Sequence, residues 1–241
     1  MFSHIPEELP PSPDLVVVAL KSFDTVAALA PLVGRIPSTS VITSLQNGVG
    51  NEDRISARFP DNTVVAGSIC ASLGLTGPGR ALWPDDRGGL AGARHRGDPE
   101  IARAVWSSIL SRTGMECAWT TGGKASQRLK WSKLMLNTGF NALNSVTGLT
   151  SAAILAHPEY GRLALQALRE GFSLMRRLKL EPVDLPGFPV SKMRYLVALP
   201  ERFALRVMSW QAARAPEAAF SMRQDILNKR QYTEIDELNG K

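Results

Sequence analysis

The sequence predicts an α/β domain built on a parallel sheet over residues 1–120, followed by an all-helical domain over residues 121–241. Three observations predict it. Short apolar runs alternate with helical patterns through the first half, which is the signature of stacked strand–helix–strand units. The first of these runs is apolar on both faces, as strands at the centre of a covered parallel sheet are. From Gly123 onward the strand signals nearly stop, and long helical patterns punctuated by Pro and Gly take over.

After a Pro-rich start, Asp14–Leu20 reads as a strand, Asp24–Leu32 as a short helix and Ser40–Leu45 as a second strand. Asn51–Phe59 then reads as a helix and Asn62–Cys70 as a third strand. Residues 71–97 change character. Gly and Arg are frequent between turn signals, so a hairpin or irregular strands are expected there. Asp98 followed by Pro99 marks a cap and a first helical residue, opening a helix to about Arg112, with a last short strand at Met115–Ala118. In the second half, 124–149, 158–178, 189–214 and 216–230 read as helices, with breaks at Gly148, Pro182 and Pro186–Gly187.

Composition is that of an ordinary globular chain, 44% hydrophobic and 21% charged. Cys70 and Cys117 are too few and too far apart for a disulfide framework or a zinc site, so no metal is expected and a reducing compartment is. No apolar run is long enough to span a membrane, and the start lacks the basic-then-apolar order of a signal peptide. A soluble, cytoplasmic protein is the expectation. Residues 1–120 hold 10 Lys and Arg against 12 Asp and Glu, net −2, and residues 121–241 hold 18 against 10, net +8. A basic second half suits an anionic small substrate or a cofactor phosphate. Its charges are not interleaved with aromatics, which points away from nucleic acid.

Three segments carry chemistry. In 130–144, KWSKLMLNTGFNALN, the residues Lys133, Asn137 and Asn141 are spaced i, i+4, i+8 and share one face of an otherwise apolar helix. Asparagine is a poor helix former and costly to bury alone, so such a ladder points to a cleft. A lysine beside amides can polarise a carbonyl and protonate the resulting oxyanion. Asparagines bonded to neighbouring helices, with the lysine reaching solvent, would explain the same spacing. The second segment, LQNGVGN at 45–51, follows a predicted strand. Asn47 and, one strand earlier, Lys21 therefore lie where open parallel sheets bind ligands. A plain turn and a surface lysine account for them equally. The third comprises SMRQD at 221–225 and TEIDELNG at 233–240. There Thr233 can cap a helix and Glu234 can sit in its first turn for purely structural reasons.

Taken together and in order, LQNGVGNE, KWSKLMLNTGFNAL, SMRQD and TEIDELNG resemble the ketopantoate reductase (2-dehydropantoate 2-reductase) family over essentially the whole chain. The resemblance implies a Rossmann-like domain followed by a helical domain, with the active site between them. It implies hydride transfer from NADPH to 2-dehydropantoate or a close 2-oxo acid. Lys133 would be the general acid and Glu234 a catalytic partner tuning it. Asn137, Asn141 and Ser221 would bind substrate, the serine through its carboxylate, and Lys21 and Asn47 would lie at the cofactor. A small 2-oxo acid is the implied partner, neither nucleic acid nor a membrane is, and a homodimer stays open.

The match departs from the family in places. No G-x-G-x-x-G precedes Leu15, so the Rossmann-like sheet is expected to be truncated by about seventy residues, including the turn that grips pyrophosphate. Two expectations follow: the Leu15–Leu20 strand lies at a sheet edge, and NADPH binds weakly or not at all. The spacing between Asp225 and Glu234 is one residue longer than in the family pattern, and Ser151 stands where some members have a further asparagine. The alternative reading is a non-catalytic relative or fragment acting as a binding or assembly subunit.

Overall fold

The computed structural model describes residues 12–71, 73–77, 80–83, 88–110, 113–213, 226, 234–238 and 240. The first half gives β1 (Leu15–Val18), α1 (Thr25–Leu29, flanked by 3-10 turns), β2 (Val41–Ser44), α2 (Asn51–Arg58) and β3 (Thr63–Ile69). A small antiparallel hairpin, β4 (Gly74–Gly77) and β5 (Arg80–Leu82), leads to β6 (Gly89–Arg96), α3 (Pro99–Leu110) and β7 (Glu116–Thr120). Helices α4 (Ala125–Thr138), α5 (Asn141–Thr147), α6 (Ser151–Ala156), α7 (Pro158–Arg177), α8 (Val190–Ala198), α9 (Glu201–Ala212) and the short α10 (Ile235–Leu238) follow. None of the described helices is long and apolar enough to cross a membrane.

Five strands form one sheet in the order β1-β2-β3-β6-β7. β1, β2 and β3 are mutually parallel, β6 reverses against β3, and β7 runs parallel to β6. The sheet is thus mostly, not wholly, parallel. β1 forms one edge, and Val17 there is 48% exposed. The β3–β6 connection carries the β4–β5 hairpin and, among the described residues, no crossover helix, so β6 returns antiparallel to β3.

Residue parity sorts the core. On one face Val18, Ile42 and Val64 pack with Leu29, Ile55 and Phe59 of the α1–α2 layer. Farther along that face, Ala66, Cys70, Ala91 and Ala93 lie under Leu129, Leu134 and Met135 of α4. The same cluster continues into Met175, Leu180 and Val190, so one core joins the sheet to the helical half. On the opposite face Val41, Val65 and Leu90 meet Ala102 and Trp106 of α3.

β6 is the element the sequence reading left as irregular. Its segment, GLAGARHR, lacks the β-branched and aromatic residues that announce a strand. The small residues answer to its two neighbours. Ala91 and Ala93 admit α4 on one side. On the other, Gly92 pairs with Gly67 across the β3–β6 ladder; the Trp106 ring fills the place of the side chain missing at Gly92, and Leu45 and the same ring crowd the place missing at Gly67. A Cβ on Gly92 would stand 2.4 Å from the indole, and one on Gly67 would meet it at 3.1 Å.

Several helix boundaries fall where local chemistry puts them. Asp98 Oδ1 accepts from the amides of Glu100 and Ile101, capping α3, and Pro158 opens α7. Thr150 caps α6, a helix the sequence reading omitted, by accepting from Ala153 N at 3.1 Å. Two long helical stretches are each divided. The segment 189–214 breaks at Leu199–Pro200 into α8 and α9. The segment 124–149 breaks at Gly139–Phe140, where Phe140 leaves helical geometry and Gly139 packs hard against Leu168 of α7. Lys133, Asn137 and Asn141 therefore do not ride one continuous helix: the first two belong to α4, and Asn141 opens α5.

Candidate active site

β1, β2 and β3 run in one direction, so their carboxyl ends face the same rim of the sheet. Lys21 follows β1, Asn47 follows β2 and Cys70 follows β3. Open α/β sheets bind ligands at this rim.

Lys21 and Asn47 line a cavity of about 410 Å³ together with Asp24, Gln46 and Glu234. Glu234 reaches it from the far end of the chain. It is 3% exposed, and its Oε2 accepts a charge-assisted hydrogen bond from Lys21 Nζ at 3.1 Å. It directly precedes α10 instead of lying in the first turn, and its carbonyl accepts from Leu238 N. The proposed cap Thr233 and the substrate residue Ser221 lie outside the described residues.

The two loops that present Lys21 and Asn47 are held by a buried polar network. Ser22 Oγ and Asn51 Nδ2 both donate to the Asn47 carbonyl, at 3.0 and 2.8 Å. Asn51 Nδ2 also reaches Ser22 Oγ, and Gln46 Nε2 donates to Leu20 O and Thr25 Oγ1. Gly48 and Gly50 supply the left-handed backbone (φ 80° and 85°) that lets the strand turn directly into α2. The two bonds made to Asn47 use its backbone carbonyl. Its side chain makes none among the described residues and faces the cavity rim.

Lys133 lies on α4 beside Cys70, at the end of β3. Burial lowers its proton affinity below the ordinary lysine value. The nearby Lys130 pushes the same way, and Cys70 opposes both. Burial also raises the Cys70 thiol, partly offset by Lys133 and Lys130, which keeps it a neutral packing group. Lys133 and Asn137 are partly buried and Asn141 is 4% exposed. None of the three side chains makes a hydrogen bond among the described residues, whereas Asn51, Asn62 and Asn144 all do. Asn144, the next polar residue along, is spent on the Leu149 carbonyl.

The sequence reading passed over Lys130. It is 3% exposed, donates to the carbonyls of Gln46 and Gly67 and pairs with Glu52, itself 3% exposed, at 3.1 Å. Two signals were available: a second lysine one turn before Lys133, and an acid closing LQNGVGNE. Beside it, Ser126 of α4, His95 of β6 and Asp53 of α2 form a polar clasp, with His95 Nδ1 3.0 Å from Ser126 Oγ and Nε2 3.4 Å from Asp53.

The structure thus gathers Lys21, Asn47 and Glu234 around one cavity. Lys133 and Asn137 lie on the helix that Lys130 ties to the same loop, and Asn141 follows across the break. The Lys21–Glu234 pair and the unspent amide of Asn47 at a strand rim suit the holding of a small polar molecule, and Lys133, Asn137 and Asn141 are not among the residues that line this cavity.

Comparison with known proteins identifies the family and agrees with the fold. The family model described as ketopantoate reductase PanE/ApbA matches residues 3–91, and its C-terminal counterpart matches residues 125–241. A 2-dehydropantoate 2-reductase of Halobacterium salinarum is 30% identical over 227 residues, covering 94% of this chain and 67% of that protein. The crystal structure of a PanE/ApbA family ketopantoate reductase from Ralstonia eutropha superposes with a TM-score of 0.70 at 25% identity, over 94% of this chain and 66% of that one. D-mandelate dehydrogenase, solved with NADH and anilino(oxo)acetate, shares the fold at a TM-score of 0.72 and 20% identity, over 97% of this chain and 69% of that one. The chain spans about two thirds of the length of these relatives. With matching models over both halves and a relative at this identity, the chain belongs to the ketopantoate reductase family.

Proposed function

We propose that this chain reduces a 2-oxo acid to the 2-hydroxy acid with a nicotinamide cofactor, the substrate being 2-dehydropantoate and the cofactor NADPH. The observation that supports this most is Lys133, an amine whose proton is loosened by burial at the carboxyl ends of parallel strands, with the unspent amide of Asn137 one turn on. The relatives are 2-dehydropantoate 2-reductases, and a structural neighbour was solved with NADH.

When bound, the cofactor supplies hydride to the carbonyl carbon. Negative charge then collects on the carbonyl oxygen. Lys133, as the ammonium, stabilises that charge and delivers its proton to the oxygen, then recovers one from solvent. Asn137 and Asn141 orient the substrate's hydroxyl and carbonyl groups, and Ser221 takes its carboxylate. Residues 1–120 serve the cofactor, with Lys21 and Asn47 at its ribose and nicotinamide end. Residues 121–241 serve the substrate, and Glu234 couples the two halves through Lys21. The cavity fits this use: it is polar, lies at the strand rim and holds a cation, an acid and the unspent amide of Asn47.

Consumption of NADPH with a panel of branched 2-oxo acids tests the reading. Turnover is expected with 2-dehydropantoate above the other acids, at a high KM for NADPH because no G-x-G-x-x-G precedes Leu15 to grip its pyrophosphate. Asn137→Ala is expected to raise KM for the acid about tenfold, the worth of one hydrogen bond, with a smaller change in kcat. A folded protein that consumes no NADPH with any acid in the panel would make this chain a non-catalytic relative.

A further inference from the structure

Lys130 poses a question that the proposed chemistry leaves unanswered. α4 buries Leu129, Leu134 and Met135 against the small residues of the sheet, and an apolar side chain at position 130 would suit the same surface. An ammonium occupies it instead. A buried charge is tolerated only where its hydrogens and its charge are both satisfied. Here two carbonyls, one in the Asn47 loop and one on β3, accept its hydrogens, and the Glu52 carboxylate 3.1 Å away balances its charge.

The positions of those acceptors say what the charge does. The β2–β3 ladder ends at Ser44 opposite Ala66. Beyond that rung the two strands part, and Gln46 on one side and Gly67 on the other flank the split. Lys130 Nζ bridges it, donating to Gln46 O and, at 3.0 Å, to Gly67 O. Gln46 immediately precedes Asn47. Glu52 lies just beyond the loop that Asn47 opens, next to Asn51, which holds the Asn47 carbonyl. One turn along α4 stands Lys133, beside Cys70 and so three residues beyond Gly67 on β3. One ammonium therefore touches both ends of the Asn47 loop, the strand that leads to Cys70, and the helix that carries Lys133.

We propose that Lys130 is the positioning residue of this site, holding Lys133 and Asn47 in register by bridging the parted ends of β2 and β3 and pairing with Glu52. This rests on the reading of Lys133 as the proton donor. The titratable groups facing Lys130 are Glu52 and Asp53 from α2 and His95 from β6, and Cys70 from β3 faces Lys133. The Lys130 charge also helps to hold the Lys133 proton loosely, so the two lysines communicate electrostatically as well as through the helix.

The test is competitive acetylation of the whole protein with acetic anhydride, with the rate at Lys133 read by mass spectrometry at neutral pH. Only the free amine reacts, so the rate reports how loosely the proton is held, whether or not the protein turns over any substrate. Lys130→Met removes the neighbouring positive charge and is expected to slow Lys133 labelling about threefold or more. Glu52→Gln leaves Lys130 uncompensated and is expected to speed it. Lys130→Arg keeps the charge and its donors and is expected to stay within about twofold of wild type. In turnover, Lys130→Met is expected to lower kcat at least about tenfold with little change in KM, and the Arg variant to recover part of the loss. If Lys130→Met fails to fold, the near-isosteric Glu52→Gln and Lys130→Arg variants still decide. Lys133 labelling that is unchanged in every folded variant overturns the proposal and leaves Lys130 as packing alone. Absence of turnover in the wild type would overturn the proposed function while the labelling rates still decide the role of Lys130.

Discussion

Replacing Lys133 with Met is expected to lower turnover about a thousandfold while making the protein more stable at neutral pH. The first effect follows from losing the group that neutralises and protonates the oxyanion, for which losses of about a hundred- to ten-thousandfold are usual. Substrate affinity should change far less, because Asn137 and Asn141 keep their amides. The second effect has the opposite sign for the same physical reason. Lys133 holds its proton less tightly in the folded chain than in the unfolded one, because burial disfavours the ammonium. Below the folded value both states are protonated, and the full cost of burying the charge is borne by the folded state. As pH rises toward the ordinary lysine value, the folded state is deprotonated first and stability increases. The Met variant never carries that cost. Its advantage, on the order of 1 kcal/mol as in other trades of function for stability, should be largest near neutrality and disappear above the ordinary lysine value. Thermal melts of the two proteins across pH check the sign. A Met variant that is less stable throughout would contradict it.

The sheet should be as sensitive as the site. Trp106→Ala is expected to cost about 3–5 kcal/mol, because the indole fills the space over Gly92 and shares that over Gly67 with Leu45, and the glycines have no side chains to take its place. It also stands 6.1 Å from Trp119, tilted by 42°, so a second ring loses its neighbour. Gly92→Val works from the other side, pushing carbon into a ring only 2.4 Å from the new Cβ, and should cost about 1–3 kcal/mol. Combined with Trp106→Leu, the Gly92→Val substitution should cost less than the sum of the two, since each change makes room for the other. Trp106→Phe should be mild, because the indole nitrogen is buried without a partner and loses nothing when removed. Chemical denaturation of Trp106→Ala, Trp106→Leu, Trp106→Phe, Gly92→Val and the Trp106→Leu/Gly92→Val pair gives these numbers directly. Additive costs would mean that the ring and the glycines do not share one space.

The residues that spoke clearly in the sequence are those whose local chemistry and tertiary role agree. Asp98–Pro99 caps and opens α3, Val41–Ser44 is apolar enough to be a central strand, and Gly148 ends α5 in left-handed geometry. β6 stayed hidden because its glycines and alanines are dictated by Trp106 and α4, residues far away in sequence, and not by strand propensity. The break at Gly139 was equally invisible, since a glycine inside an apolar helical pattern is tolerated unless a neighbour such as Leu168 presses on it. At the site, the spacing of Lys133 and Asn137 and the turn at Asn47 were legible because they are local. The pairing of Lys21 with Glu234 spans nearly the whole chain, and periodicity alone could not reveal it. Nor could it separate Lys130 from Lys133: both stand on α4 within one turn, and only the carbonyls of Gln46 and Gly67 show which is bonded into the fold.

The proposed reaction requires Lys133 to act as a proton donor to a reduced carbonyl. The most direct test follows NADPH absorbance after 2-dehydropantoate is added to the wild-type chain and, in parallel, to its Lys133→Met variant, with circular dichroism showing both to be folded. Steady NADPH loss is expected in the wild type, and a rate about a thousandfold lower in the variant. Equal rates in the two proteins would contradict this role of Lys133.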